Sequence, residues 1–156
     1  MENRRINVRA IIWHDGKLLA VKHKHGDSVA RCYAVPGGGL APMESLADGV
    51  KRELIEETGI EPVVGRLLFI HQFQSRRNGY DEKLEFFFHI ENPTDYLNVD
   101  ITATTHGKDE LALCEFVDPR SVHLLPEFLT QTDIAHYVTN ELPPLVVNLL
   151  TELSHE

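Results

Sequence analysis

Val8 to Trp13 and Lys17 to Lys22 are short apolar segments separated by His14-Asp15-Gly16. Asp-Gly between two such runs predicts a hairpin, because a type I′ turn needs positive φ at its two central residues. Tyr33-Ala34-Val35 then leads into Pro36 and three glycines, which are expected to end any regular element. From Met43 to Thr58 the spacing turns helical. Leu46, Val50 and Leu54 recur every four residues, and Gly59 stands where a C-terminal stop belongs. Gly49 inside that helix costs about 1 kcal/mol relative to alanine, which points to close packing against a neighbour.

Val63 to Phe73 and Lys83 to Glu91 read as two long strands. Asn78-Gly79 lies near the centre of the linking segment Ser75–Asp81, so a hairpin with an enlarged loop is expected. Asn92 to Asp109 is polar and reads mostly as loop, and Leu111 to Val117 as a further strand. Phe128 to Tyr137 and Leu145 to Leu153 read as helices separated by Pro143-Pro144. The sum is a mixed α/β arrangement with one sheet and packed helices.

Composition fits that picture. With 156 residues, residues 1–156 are most simply one domain with a real core, and 42% apolar with 25% charged side chains argues against wholesale disorder. A net charge of −9 argues against binding long nucleic acid, which needs a basic face. It does not exclude a small anion, because a bound cation reverses the field in a cleft. Cys32 and Cys114 have neither disulfide-framework nor zinc spacing. MENRRINVRA lacks the apolar stretch of a secretory signal, and no apolar run approaches the ~20 residues that span a bilayer. The expected location is the cytoplasm, with no membrane partner.

One segment departs from ordinary helix chemistry. Glu53, Glu56 and Glu57 share an arc of about 100° on the Met43–Thr58 helix. Like charges at i, i+4 destabilise a helix by about 0.2–0.5 kcal/mol per pair, and the C-terminal half disfavours anions through the macrodipole. Local stability therefore does not account for them. A divalent cation does, and hard oxygen ligands are what Mg²⁺ or Mn²⁺ prefer. Arg52, four residues before Glu56 and able to meet Glu44, would orient carboxylates without competing as a ligand. The glycines let backbone groups approach a metal or phosphate closely.

Gly38, five residues, Glu44, seven residues, Arg52-Glu53-Leu54, one residue, Glu56-Glu57, one residue and Gly59-Ile60 form a spaced set over residues 38–60. It resembles the Nudix (MutT-like) hydrolase signature at every specified position. The resemblance implies an α/β/α sandwich with a mixed, largely antiparallel sheet. It also implies Mg²⁺- or Mn²⁺-dependent hydrolysis of the pyrophosphate linkage in a nucleoside diphosphate joined to another moiety. Carried over residue by residue, Glu53, Glu56 and Glu57 are metal ligands, and the carbonyl of Gly37 or Gly38 adds another. Arg52 and Glu44 form an orienting pair, and Glu53 or Glu56 is the base. A homodimer is a family-level expectation. Many members supply a further acidic ligand downstream. Glu110 in HGKDELALCEF has the best context, with Glu82 and Glu85 as rivals.

Weaker signals surround this set. Lys22, Lys24, Arg76 and Arg77 can reach a phosphate or be solvated cations, the blander reading being favoured. Phe73, Tyr80, Phe86 and Phe88 can stack a base, but core packing is favoured for most; Phe86 and Phe88 alternate with Phe87, so one set faces a core and the other something else. His23-x-His25 lacks a third ligand and makes a poor metal site. Cues to substrate subgroups are missing: Ser75 and Arg76 stand where a proline marks ADP-ribose enzymes. Two competing classes remain: a non-catalytic nucleotide-binding or regulatory module on the same fold, and a structural protein with a solvated acidic helix.

Overall fold

The computed structural model describes residues 3–75 and 79–150. Its strands form two sheets rather than the single sheet expected. The first is five-stranded, in the order Leu145–Asn148 (β11), Val64–Gln74 (β7), Glu82–Ile90 (β8), Arg4–Ile11 (β1) and Gly37–Gly39 (β6). β1 runs parallel to β8 and antiparallel to β6, β7 and β8 are antiparallel, and β11 is parallel to β7. The second sheet centres on Lys17–His25 (β3). Around β3 pair Trp13–His14 (β2), Ser28–Val29 (β4), Tyr33–Ala34 (β5) and Leu111–Val117 (β9), with Leu124–Leu125 (β10) beside β5. The chain passes between the sheets at Ile12, whose carbonyl accepts from Leu19 N–H at 2.9 Å.

The β2–β3 hairpin forms as expected, with Asp15 and Gly16 at φ 50° and 74°. Gly37–Gly39, expected to end regular structure, is instead an edge strand, its backbone paired residue for residue with Asn7, Val8 and Arg9. Helix α1 is Leu46–Thr58 and starts three residues later than the spacing suggested. Met43 has a positive φ of 61°, which helical backbone does not allow, and Ser45 caps the helix by accepting from Asp48 N–H at 3.2 Å. Gly59, at φ 74°, closes it as expected. Gly49 is packed as its helix-breaking cost implied: a Cβ there would lie 2.7 Å from Leu40 Cδ1 and 3.2 Å from Val8 Cγ2.

Two apolar clusters lie on opposite faces of the strands. Val8, Ala10, Ile12, Leu19, Phe88 and Ile90 pack against Val50 and Leu54 of α1. Ile11, Leu18, Ala20, Phe69 and Phe87 pack on the other face against Leu129 and Ile134. Both faces of β8 are therefore covered, and Phe86, Phe87 and Phe88 all serve cores. The result is the expected α/β/α layering with mixed, largely antiparallel strands, divided between two sheets.

Three other segments differ from expectation. Asn92–Asp109 is not simply loop: it holds a 3₁₀ turn at Pro93–Tyr96 and the helix Thr105–Glu110 (α2), capped by Thr104, which accepts from Gly107 N–H at 2.9 Å. Phe128–Tyr137 is broken into a 3₁₀ turn, Glu127–Thr130, and the helix Ile134–Thr139 (α3), because Asp133 stops to cap His136 N–H at 3.1 Å. Leu145–Leu153, read as a helix, is strand β11 over Leu145–Asn148, where β7 offers an open edge; residues 151–153 lie outside the described residues. No described helix is long and apolar enough to cross a membrane.

Candidate active site

Arg52 organises the acidic end of α1, and its five donors are all committed. Nε and Nη2 grip Glu44 through both carboxylate oxygens at 2.8 and 2.9 Å, and Nη2 also donates to the Gly39 carbonyl at 3.0 Å. Nη1 donates to Glu53 Oε1 at 3.0 Å and to Glu56 Oε2 at 3.3 Å. The hydrogen bonds from Arg52, with one from Ala41 N–H, hold the Glu44 carboxyl down at about 2. Glu44 thus stays ionised and clamps the guanidinium, which in turn aligns Glu53 and Glu56. Arg52 and Glu44 meet in fork-to-fork geometry.

The glycines of β6 give those acids their floor. A Cβ at Gly38 would lie 2.6 Å from the Glu53 carboxylate, so only a bare backbone admits that carboxylate. Gly37 has φ 144°, and its N–H donates to the Glu57 carboxylate. Glu57 is only 3% exposed, and its Oε2 has no hydrogen-bond partner among the described residues. Burial, reinforced by the charges of Glu53 and Glu110, lifts its carboxyl to about 8. Burial also raises Glu53, against the pull of Arg52.

Helix α2 closes the site over the end of α1. Gly107 sits against the Glu57 carbonyl, where any side chain would collide, and Thr104 Oγ1 approaches the same carbonyl at 3.4 Å. This docking brings His106 Nδ1 to 3.3 Å from Glu56 Oε2 and sets Glu110 within electrostatic reach of both Glu57 and His23. Glu110 is exposed at the last position of α2. The rivals are placed elsewhere. Glu82, at the start of β8, is bonded by Arg4 and Gln72. Glu85 is buried, accepting from Asn7, Arg9 and His71 on the sheet face opposite α1.

The weaker candidates are largely spent. Lys24 donates to the Lys108 carbonyl at 2.7 Å, and Lys22 Nζ lies 4.7 Å from the Tyr33 ring centroid. Phe73 stacks on His71 at 4.4 Å, and Tyr80 lies under the Arg5 guanidinium at 5.4 Å. Arg76 and Arg77 lie outside the described residues. His23 sits at a β-bulge facing Arg9 and Glu110, with its imidazole lowered by burial and by Arg9. His106 was missed because nothing in sequence spacing ties it to Glu56; the one readable hint was the Thr104-x-x-Gly107 cap that starts α2.

Among the described residues, no three His, Cys, Asp or Glu side chains are gathered as a ready ligand set. Arg52 holds Glu53 and Glu56 to itself, while Glu57 is turned inward to Gly37. The donors nevertheless fit a divalent cation. The unpartnered Glu57 Oε2 is an acceptor that burial leaves without compensation, and the Glu53 carboxylate lies beside it on bare backbone.

A family model described as the NUDIX domain matches residues 3–137. Over 71 residues the chain is 37% identical to an ADP-ribose pyrophosphatase of Methanocaldococcus jannaschii, covering 46% of this chain and 41% of that one. Over 65 residues it is 40% identical to a CTP pyrophosphohydrolase of Escherichia coli, covering 42% of this chain and 48% of the other. The matched segment thus spans less than half the length of either relative. The fold is similar to the solution structure of the Escherichia coli ORF135 protein, with a TM-score of 0.65, 24% identity, and coverage of 91% of this chain and 96% of that one. The match across residues 3–137, the layered fold and the Arg52-centred acidic cluster lead to one conclusion: the chain belongs to the NUDIX domain family.

Proposed function

We propose that the chain is a pyrophosphohydrolase that cleaves a phosphoanhydride bond in a nucleoside diphosphate linked to another group, with Mg²⁺ or Mn²⁺ held by Glu53, Glu56 and Glu57 and a carbonyl of Gly37 or Gly38. The observation that carries this reading is Glu57, a buried carboxyl with an unpartnered oxygen placed beside a second carboxylate. A merely solvated acidic helix has no reason to bury one of its acids. When bound, the cation neutralises phosphate oxygens and makes an associated water more acidic.

The chain's own groups divide the remaining work. Arg52, fixed by Glu44, keeps Glu53 and Glu56 together at the end of α1, from where they can turn toward a cation beside Glu57. Glu53 or Glu56 accepts the proton of the attacking water. Glu110, on α2, adds negative charge at the open side, where a further acidic ligand is expected. The names of the two matched relatives, an ADP-ribose pyrophosphatase and a CTP pyrophosphohydrolase, support a small nucleotide as substrate.

The test is a product-release assay over a panel of nucleoside triphosphates, nucleoside diphosphate sugars and dinucleoside polyphosphates, with Mg²⁺, with Mn²⁺ and with EDTA. The expected result is metal-dependent turnover of at least one class. Binding of nucleotides without turnover in either metal would overturn the reading in favour of a regulatory module.

A further inference from the structure

Arg9 is half-buried where a purely structural arginine has little reason to be. It lies on β1, opposite Gly37 of β6, and its stem crosses that glycine: a Cβ at Gly37 would sit 2.9 Å from Arg9 Cα and 3.0 Å from its Cδ. β6 is the edge of the five-stranded sheet. On one side of this edge strand lie Glu57, bonded to Gly37 N–H, and Glu53, resting on Gly38. Arg9 reaches the same strand from the other face and interacts electrostatically with both acids and with His23.

Its hydrogen bonding is lopsided. Nε donates to Glu85 Oε2 at 3.0 Å, and among the described residues the terminal nitrogens show only a long 3.5 Å hydrogen bond from Nη1 to the Val35 carbonyl. An arginine kept only for its ion pair favours the two-pronged grip that Arg52 makes on Glu44. Here the carboxylate takes the inner nitrogen, and among the described residues the outer fork is held only by that long bond to Val35. Glu85 is itself fixed by Asn7 Nδ2 at 3.2 Å and His71 Nδ1 at 3.3 Å, so it is a rigid anchor. The guanidinium side chain is 19% exposed, enough for a ligand to reach it. Arg52, the other cation against these acids, has no donor left.

We infer that Arg9 is a substrate-contacting residue whose outer guanidinium nitrogens bind a phosphate of the substrate across the β6 edge, and that Glu85 is the positioning residue that presents it. The inference rests on the pyrophosphohydrolase reading. An acidic patch repels a polyanion until cations fill it, and a fixed guanidinium beside it supplies a permanent attraction. Planar, paired donors are what a phosphate accepts.

The experiment is calorimetric binding of methylenediphosphonate, a non-hydrolysable pyrophosphate analogue, in MgCl₂. Arg9→Met is expected to weaken binding at least about tenfold, and Arg9→Lys about threefold to tenfold, because lysine cannot bond Glu85 and a phosphate together. The double variant Arg9→Met with Glu85→Met removes both charges of the pair, leaving no buried Glu85 carboxylate without its partner, and so guards against misfolding; it is expected to bind as weakly as Arg9→Met. Glu85→Gln, which keeps an acceptor for Arg9, should raise KM for the best nucleotide substrate while kcat stays within about threefold, and Glu85→Met should resemble Arg9→Met. Wild-type protein that does not bind the analogue, or a folded double variant that binds within twofold of wild type, would overturn the proposal. If the double variant does not fold, Arg9→Lys with wild-type affinity would overturn it. Failure of wild type to hydrolyse any nucleotide counts against the proposed function instead, since analogue binding is read without turnover.

Discussion

Replacing Glu57 by glutamine tests the site by stability as well as by rate. In the folded chain the Glu57 carboxyl holds its proton up to about pH 8, against 4.5 for a free carboxyl. Between those values the unfolded chain binds fewer protons than the folded one, so stability falls as pH rises; the contribution is intact below 4.5 and lost on passing 8. Ionisation of this one group therefore favours unfolding by about 1 kcal/mol at pH 5 and about 3 kcal/mol at pH 7. The amide that replaces it does not titrate. The stability of Glu57→Gln relative to wild type should grow by about 2 kcal/mol from pH 5 to pH 7, which is about 4–8 °C in Tm for a chain of this size. Constant differences in packing cancel from that comparison. The assay is thermal unfolding of both proteins in EDTA at the two pH values, repeated in MgCl₂ against NaCl of matched ionic strength. Wild type should be stabilised by Mg²⁺ and release a proton on binding it, whereas the variant should lose most of that response and at least about a hundredfold in turnover, as expected when a charged ligand is removed. A Tm difference independent of pH, with equal Mg²⁺ responses, would refute the placement of Glu57 as a buried acid that a cation ionises.

The two glycines under the acids should separate fold from chemistry. Gly38→Ala puts a methyl 2.6 Å from the Glu53 carboxylate without demanding a positive φ, so turnover should fall about 10–100-fold with Tm nearly unchanged. Gly37→Ala, at φ 144° and 2.9 Å from Arg9 Cα, should instead lower stability by about 1–3 kcal/mol in a denaturant titration. Arg52→Lys keeps the charge but cannot serve Glu44, Glu53, Glu56 and Gly39 at once, and should cost about tenfold or more in kcat with a smaller change in KM.

Much of the fold was readable because local signals and long-range packing agree. The β2–β3 hairpin is set by Asp15-Gly16, and α1 by Leu46, Val50 and Leu54 between Ser45 and Gly59. The failures are segments whose structure depends on a partner distant in sequence. Leu145–Asn148 is a short apolar run after two prolines, equally compatible with helix and strand by pattern, and the open edge of β7 decides it. Gly37–Gly39 has no side chains to show any period, and becomes a strand only because Asn7, Val8 and Arg9 lie opposite. The division into two sheets at Ile12 leaves no trace in an apolar run that continues from Val8 to Trp13.

The site divides along the same line. Glu44, Arg52, Glu53, Glu56 and Glu57 lie on or beside one helix, so the period of 3.6 converts their spacing into geometry. Arg9, His23, His106 and Glu85 arrive from β1, β3, α2 and β8, and only the assembled sheets fix their distances. That contrast has a physical consequence for the chemistry. Arg52 gathers Glu44, Glu53 and Glu56 from within eight residues of itself, whereas Glu57 also needs Gly37 of β6. The cationic side of the cleft needs β1 and β8 in register first, since Glu85 reaches Arg9 across 76 residues of chain. Partial unfolding that frees the β6 edge would therefore take Gly37 and Gly38 away from Glu57 and Glu53 while leaving Arg9 bonded to Glu85 across β1 and β8. Such a state would lose affinity for divalent cations while keeping its fixed guanidinium.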